Sequence, residues 1–208
     1  MARKRYGRTV AKLVLGVVLA IIAYVGLQYS AVLNDMELSQ NLYSQGDIAG
    51  ALKSYEEVES RIRAHGAMWL IPTRDRQNLF LNQARLLYAM QKYDEAAEKL
   101  EKEDELTGTT TDGRFYLLRG EIGFRKSVQD YQRSTKKDVA LLEENLLGAE
   151  DTLREALRLG PNDWDAKYNF EFVNAVRKAL GGEGDEHVKL LEEEQKPQTK
   201  ELPPELAG

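Results

Sequence analysis

Between Ala31 and Leu180 the apolar residues recur three to four positions apart, and nowhere do they alternate over the length of a strand. The breaks in this helical pattern mark out the elements. In LYSQGDIAGALKSYEEV, Leu42 to Val58, one helix ends, the chain turns tightly and a second helix starts. Gly46 stands where the first helix must reverse, since glycine alone takes a left-handed conformation without steric cost. Asp47 follows as a helix-capping acceptor. A first helical hairpin is therefore expected over about Ala31 to Ala64 and a second over about Arg76 to Asp104. A third pairs a helix starting near Arg114 and running to about Arg133 with a long partner from Asp138 to Leu159. Gly160 and Pro161 end that partner, and Asp163 caps a last helix that stops at Gly181 and Gly182.

The hairpins repeat one another. In LYAMQKYDEAAEKL, Leu87 to Leu100, Tyr88 matches Tyr43, Tyr93 matches Ile48 and Ala96 matches Ala51. The second half of the unit returns in AEDTLREALRLGPND, Ala149 to Asp163, with a closing Pro. Ala51, Ala96 and Ala149 fall where two antiparallel helices cross closely, and Tyr55, Leu100 and Leu153 would fill the space one turn later. Gly120 occupies a crossing position in the third unit. Gln91 replaces the turn glycine of the second unit, which weakens the turn signal there. These stretches resemble the tetratricopeptide repeat, a helix-turn-helix unit of about 34 residues. The resemblance implies an all-α solenoid of about three and a half hairpins. The third unit carries about 17 residues more than such a repeat and is expected to project beyond its neighbours.

The amino-terminal pattern is different. Arg3, Lys4, Arg5, Arg8 and Lys12 precede a stretch from Leu13 to Asn34 without a single charge. Val10 to Tyr29 as a helix would span about 30 Å, the hydrocarbon thickness of a bilayer. The first charges beyond it are Asp35 and Glu37, and no Lys or Arg follows until Lys53. The positive-inside rule then leaves the amino terminus cytoplasmic and the hairpins on the far side of the membrane. A cleaved signal peptide would have the same basic flank, but no small-x-small site follows the apolar core, where Gln28 and Tyr29 are bulky. The expected organisation is a basic cytoplasmic segment over 1–9, a transmembrane helix over 10–30, a helical domain over 31–180 and an acidic tail over 181–208. Neither Pro nor Gly occurs between Leu27 and Gln45, so the membrane helix should run almost directly into the first hairpin.

Composition narrows the chemistry. The absence of cysteine excludes disulfides, Cys-ligated zinc, iron–sulfur clusters and thiol nucleophiles. His65 and His187 are the only histidines, far apart in sequence, which argues against a His-based triad or a multi-His metal site. No phosphate loop, dinucleotide fingerprint, HExxH or EF-hand pattern is present. Asn162, Asp163 and Asp165 offer oxygen ligands of the kind calcium accepts, but the role expected of them is capping a helix and placing favourable charge at its amino terminus. Beyond Lys12 the chain holds 24 basic and 34 acidic residues, which argues against nucleic-acid binding. The reading is of a protein that is not an enzyme, needs no cofactor or metal and binds another protein. The apolar run Ala67 to Ile71, closed by Pro72, either touches a membrane or partner or tucks over a hairpin junction. A short helix is expected near Glu186 to Gln195.

Tetratricopeptide proteins take ligands on the surface built from the first helix of each hairpin. The positions here that match this groove are Gln40, Tyr43, Asn78, Leu81, Arg85, Tyr88, Arg114, Leu117, Glu121 and Arg125, a set suited to a partner segment with carboxylates beside apolar anchors. The closing segment PNDWDAKYNFEFV, Pro161 to Val173, resembles a DWDAxYNLE signature of single-anchor repeat proteins encoded with a MoxR-type ATPase and von Willebrand A proteins. Within that group the chain looks most like the MxaK-type accessory proteins of bacterial methanol oxidation. That resemblance implies a role in maturing a periplasmic enzyme such as methanol dehydrogenase, with the client or a von Willebrand A protein as partner. The other reading is a structural subunit of a membrane complex, since Gly16, Ala20, Ala23 and Gly26 leave room for close helix packing. Trp164, Tyr168 and Phe172, at i, i+4 and i+8, are expected to form an apolar stripe capping the stack.

Overall fold

The computed structural model describes residues 2–64, 68, 71–107 and 112–180, and contains seven α-helices and no strand among them. The chain divides into two compact units, Met1–Pro72 and Thr73–Gly208. The helix expected near Glu186 to Gln195, the acidic tail, and Ala67, Trp69 and Leu70 of the apolar run lie outside the described residues.

The first unit is one hairpin, α1 (Ala2–Ser44) and α2 (Ile48–Ala64). No helix break separates the apolar stretch of α1 from its hairpin portion, as the missing Pro and Gly led one to expect. The stretch from Val10 is long and apolar enough to cross a membrane, with a mean hydropathy of 2.5 over a window of which 0% is buried. From Val32 onward α1 turns one face inward, burying Val32, Met36 and Ser39 against Ala51, Leu52, Tyr55, Val58 and Ile62 of α2. Ser39 Oγ donates to Ser54 Oγ at 2.8 Å, and Arg61 of α2 pairs with Asp35 of α1. The turn has the expected chemistry. Gly46 has φ +85°, its N–H reaches Tyr43 O at 2.9 Å, and Asp47 N–H reaches Leu42 O at 3.0 Å. Asp47 Oδ1 then accepts from Gly50 N at 2.8 Å to cap α2.

The second unit holds α3 (Thr73–Ala89), α4 (Tyr93–Thr107), α5 (Gly113–Arg133), α6 (Val139–Leu159) and α7 (Trp164–Leu180). Helix α3 starts three residues earlier than expected, and α4 runs on to Thr107, three residues past its expected end at Asp104. The α3–α4 turn repeats the first one with a non-glycine residue. Gln91 N–H reaches Tyr88 O and Lys92 N–H reaches Leu87 O, both at 2.9 Å, and Gln91 sits at φ 60°. The two crossed hydrogen bonds satisfy helix-end carbonyls strongly enough to hold a side-chain-bearing residue in the left-handed region, at a cost of about 1–2 kcal/mol.

Close helix crossings set the core. Ala96 and Leu100 are fully buried between α3 and its partner, and Ala149 and Leu153 are buried in α6. A Cβ added at Gly120 would lie 2.5 Å from Leu153 Cγ and 3.4 Å from Ala149 O, so α5 and α6 meet with no space for a side chain at that point. Both helices have 21 residues, against 17 in α3 and 15 in α4, so the third hairpin is the long one. Caps begin each late helix: Asp112 accepts from Arg114 N, Asp138 from Leu141 N, and Asp163 Oδ1 from both Asp165 N and Ala166 N at 3.0 Å. Asp163 is therefore engaged as a cap. Between α6 and α7 the buried Glu150 carboxylate accepts from Arg154 Nη2 and Arg177 Nε, each at 2.8 Å.

The stripe on α7 departs from expectation. Trp164 is 79% exposed and Tyr168 66% exposed, so these rings do not pack onto the stack. The residues of α7 that do are Ala166, Val173, Val176 and Leu180, with Phe172 of the expected stripe partly buried against them. The reason is angular: at about 100° per residue, Trp164 lies well over a quarter-turn from the face that Ala166 and Val173 share.

Replacing Gln91 with Gly should remove the left-handed strain and raise the unfolding free energy by about 1 kcal/mol. Chemical denaturation of the two chains checks this; an unchanged or lowered midpoint would show that the turn carries no such strain.

Candidate partner-binding face

The first helices of the hairpins in the second unit, α3, α5 and α7, lie side by side and gather most of the groove residues inferred from the sequence. On α3 are Asn78, Arg85 and Tyr88, and on α5 are Arg114, Glu121 and Arg125. Arg114 Nη2 donates to Asn78 Oδ1 at 3.1 Å, which ties α5 to α3. The same guanidinium forks onto Asp112, with Nε at 3.0 Å from Oδ2 and Nη2 at 2.6 Å from Oδ2. Burial works against charge on Asp112, but the Arg114 side chain and backbone N–H, with Arg85 nearby, hold its carboxyl below the usual range. Arg114 is thus built into the start of α5.

One turn along, Tyr88 is pushed up to about 12, mainly by burial and then by the charge of Glu121, against a hydrogen bond from Arg125 to its hydroxyl. Its ring lies 5.7 Å from that of Tyr93. Arg125 also covers Phe124, its guanidinium carbon 5.5 Å from the ring centre. Glu121 is the centre of the face. Asn169 Nδ2 of α7 donates to Glu121 Oε1 at 2.9 Å. Burial pushes this carboxyl up to about 7, Asp165 adds to the shift, and Arg85, Arg125 and the Asn169 bond oppose it.

Four of the inferred residues do not belong to the face formed by these three helices. Leu81 and Leu117 are 1% and 9% exposed and pack in the core, because α3 and α5 turn those positions inward against their hairpin partners. Gln40 and Tyr43 are half-buried on α1, in the first unit. Sequence reasoning missed Asp165 and Asn169, and with them the aromatic edge of the face. Tyr168 stacks on Phe172 with ring centres 6.3 Å apart and planes 9° from parallel, and Phe172 meets Phe124 of α5 edge-on at 5.4 Å. Lys167 Nζ lies 5.1 Å from the centre of the Trp164 ring. The signal was present in the repeat: Asp163 starts a new first helix, so Asp165, Tyr168 and Phe172 continue the row that Arg114, Leu117 and Glu121 began.

Charge is divided between the two sets of helices. Helices α3, α5 and α7 carry 11 basic and 5 acidic residues, while α4 and α6 carry 4 basic and 12 acidic. The face therefore combines arginines, tyrosines and partly exposed aromatic rings on the basic side of an acidic domain. Such a set can pair with carboxylates bidentately and stack on apolar groups.

Glu121 makes stability depend on pH in a calculable direction. An unfolded glutamate titrates near 4.5 and the folded one near 7, so between these values the folded chain keeps a proton that the unfolded chain has lost. The stabilisation due to neutral Glu121 is complete below pH 4.5 and disappears as the pH rises through 7. Relative to the native chain, Glu121→Gln should gain up to about 3 kcal/mol between pH 4.5 and pH 8, at about 1.4 kcal/mol per pKa unit. Denaturant midpoints across that range check it, and a difference independent of pH would refute the assignment. No known family, curated protein or solved structure matches this chain.

Proposed function

We propose that this protein is a membrane-anchored, tetratricopeptide-like scaffold that holds an acidic segment of a partner protein on its α3–α5–α7 face. The observation that carries the reading is the concentration of Arg85, Arg125, Tyr88 and the Tyr168–Phe172 pair on the basic side of an otherwise acidic domain. Arginine, tyrosine and tryptophan are the residue types that dominate binding energy at protein interfaces. The anchor is the apolar part of α1, with the amino terminus cytoplasmic and the helical domain periplasmic, as the distribution of Lys and Arg around it favours. Together with the Trp164 to Glu171 signature, this supports an assembly or maturation factor of the MxaK type acting on a periplasmic enzyme such as methanol dehydrogenase, without catalysis of its own.

A second reading, a permanent subunit of a membrane complex, draws on α1 itself. Cβ atoms added at Gly16 and Gly26 would meet nothing within 4 Å, so another transmembrane helix has room to approach there.

Reversing charge at the face tests the first reading. Arg85→Glu with Arg125→Glu should reduce capture of the partner from detergent extracts by at least about tenfold, the effect of losing about 1.4 kcal/mol, with helicity by circular dichroism unchanged. Undiminished capture would sink it. A stoichiometric, stable partner would favour the subunit reading, a sparse one the maturation factor. Orientation is tested separately by fusing a reporter active only in the periplasm after Gly208; the fusion should be active, and an inactive one would overturn the topology.

A further inference from the structure

The exposed aromatic edge of α7 and the basic side of the domain lie within reach of a segment whose chemistry fits both. Residues 181–208 follow directly on α7 and hold eight acidic and three basic residues. Their acidic runs flank short apolar stretches, Val188-Lys-Leu-Leu191 and Leu202-Pro-Pro-Glu-Leu206. This is the pattern the face suits, carboxylates beside apolar anchors. Geometry permits the match. Trp164 lies about 24 Å back along α7 from Leu180, at about 1.5 Å per residue, whereas 28 extended residues reach about 90 Å. Gly181, Gly182 and Gly184 at the start allow a sharp reversal.

We propose that residues 181–208 bind back onto the α3–α5–α7 face, with an apolar stretch against Trp164 and Tyr168 and carboxylates toward Arg85 and Arg125, so that the chain's own tail occupies the partner site until a partner displaces it. The proposal rests on reading that face as a binding surface for acidic segments.

Tethering makes a weak contact sufficient. A short flexible linker supplies an effective concentration of about 1 mM, so a tail with a separate dissociation constant of about 0.1 mM is bound about ten to one. A partner using the same face then has to compete against that factor, and its apparent affinity falls about tenfold. The contact should also be sensitive to salt, because much of it is attraction between opposite charges near the surface.

Trp69 and Trp164 are the only tryptophans, so a Trp69→Phe background makes Trp164 the single emitter. In the detergent-solubilised chain, ending the protein at Leu180 should increase acrylamide quenching of Trp164 about twofold, and salt near 0.5 M should do the same to the full chain. A synthetic peptide of residues 181–208, titrated into the shortened chain, should restore protection saturably, and Tyr168→Ala should abolish that restoration. Equal quenching with and without the tail, or no effect of the peptide, overturns the proposal. Protection that rises with protein concentration also overturns it, because the tail would then come from a second copy. Partner capture by the shortened chain separates the two ideas. If Arg85→Glu with Arg125→Glu abolishes capture while quenching ignores the tail, the face is a binding surface and only the tail assignment falls. If capture survives the charge reversal, the reading of the face itself falls.

Discussion

The structure depends on how closely two helices of a hairpin can approach. Where Gly120 of α5 passes Leu153 of α6, even one methyl group would overlap its neighbour, and Ala51, Ala96 and Ala149 are buried at the equivalent crossings. Close approach leaves room for one layer of side chains, filled by Tyr55, Leu100 and Leu153, each no more than 1% exposed. A hairpin only that thick has two distinct outer surfaces. In the second unit, one is formed by α3, α5 and α7 and the other by α4 and α6, and the charge on each can differ. The separation of basic and acidic helices described above is possible because the crossings hold the two sets apart.

Much of this was legible in the sequence, for physical reasons specific to each element. Small residues at fixed offsets announced the crossings, and Asp47 and Asp163 announced helix starts because a capping carboxylate is a local device. What could not be read was rotation about the helix axis. Leu81 and Leu117 match groove positions by count, yet a few tens of degrees of rotation against the hairpin partner carry them into the core. The same uncertainty, with opposite sign, made Trp164 and Tyr168 look like packing residues. Gln91 shows a different limit: the turn it occupies is fixed by two hydrogen bonds from neighbouring residues, which outweigh the conformational preference of the residue at its apex.

Hydrogen bonds across the face hold its own helices together. Asn78 with Arg114, and Glu121 with Asn169, join the three helices by hydrogen bonds. Burial pushes the Glu121 carboxyl up to about 7, so near neutral pH it is only partly charged.

Helix α1 passes from its apolar stretch into the hairpin without a break. An unbroken helix is a shaft, and shafts transmit rotation as well as position. The azimuth of α2 around the α1 axis is therefore set by the number of residues between the apolar stretch and Val32. One residue more would turn the hairpin by about 100° and move it about 1.5 Å along that axis, presenting a different side relative to the apolar stretch. Whatever holds the apolar stretch holds the hairpin at a fixed bearing, like a key whose angle is cut into the shank.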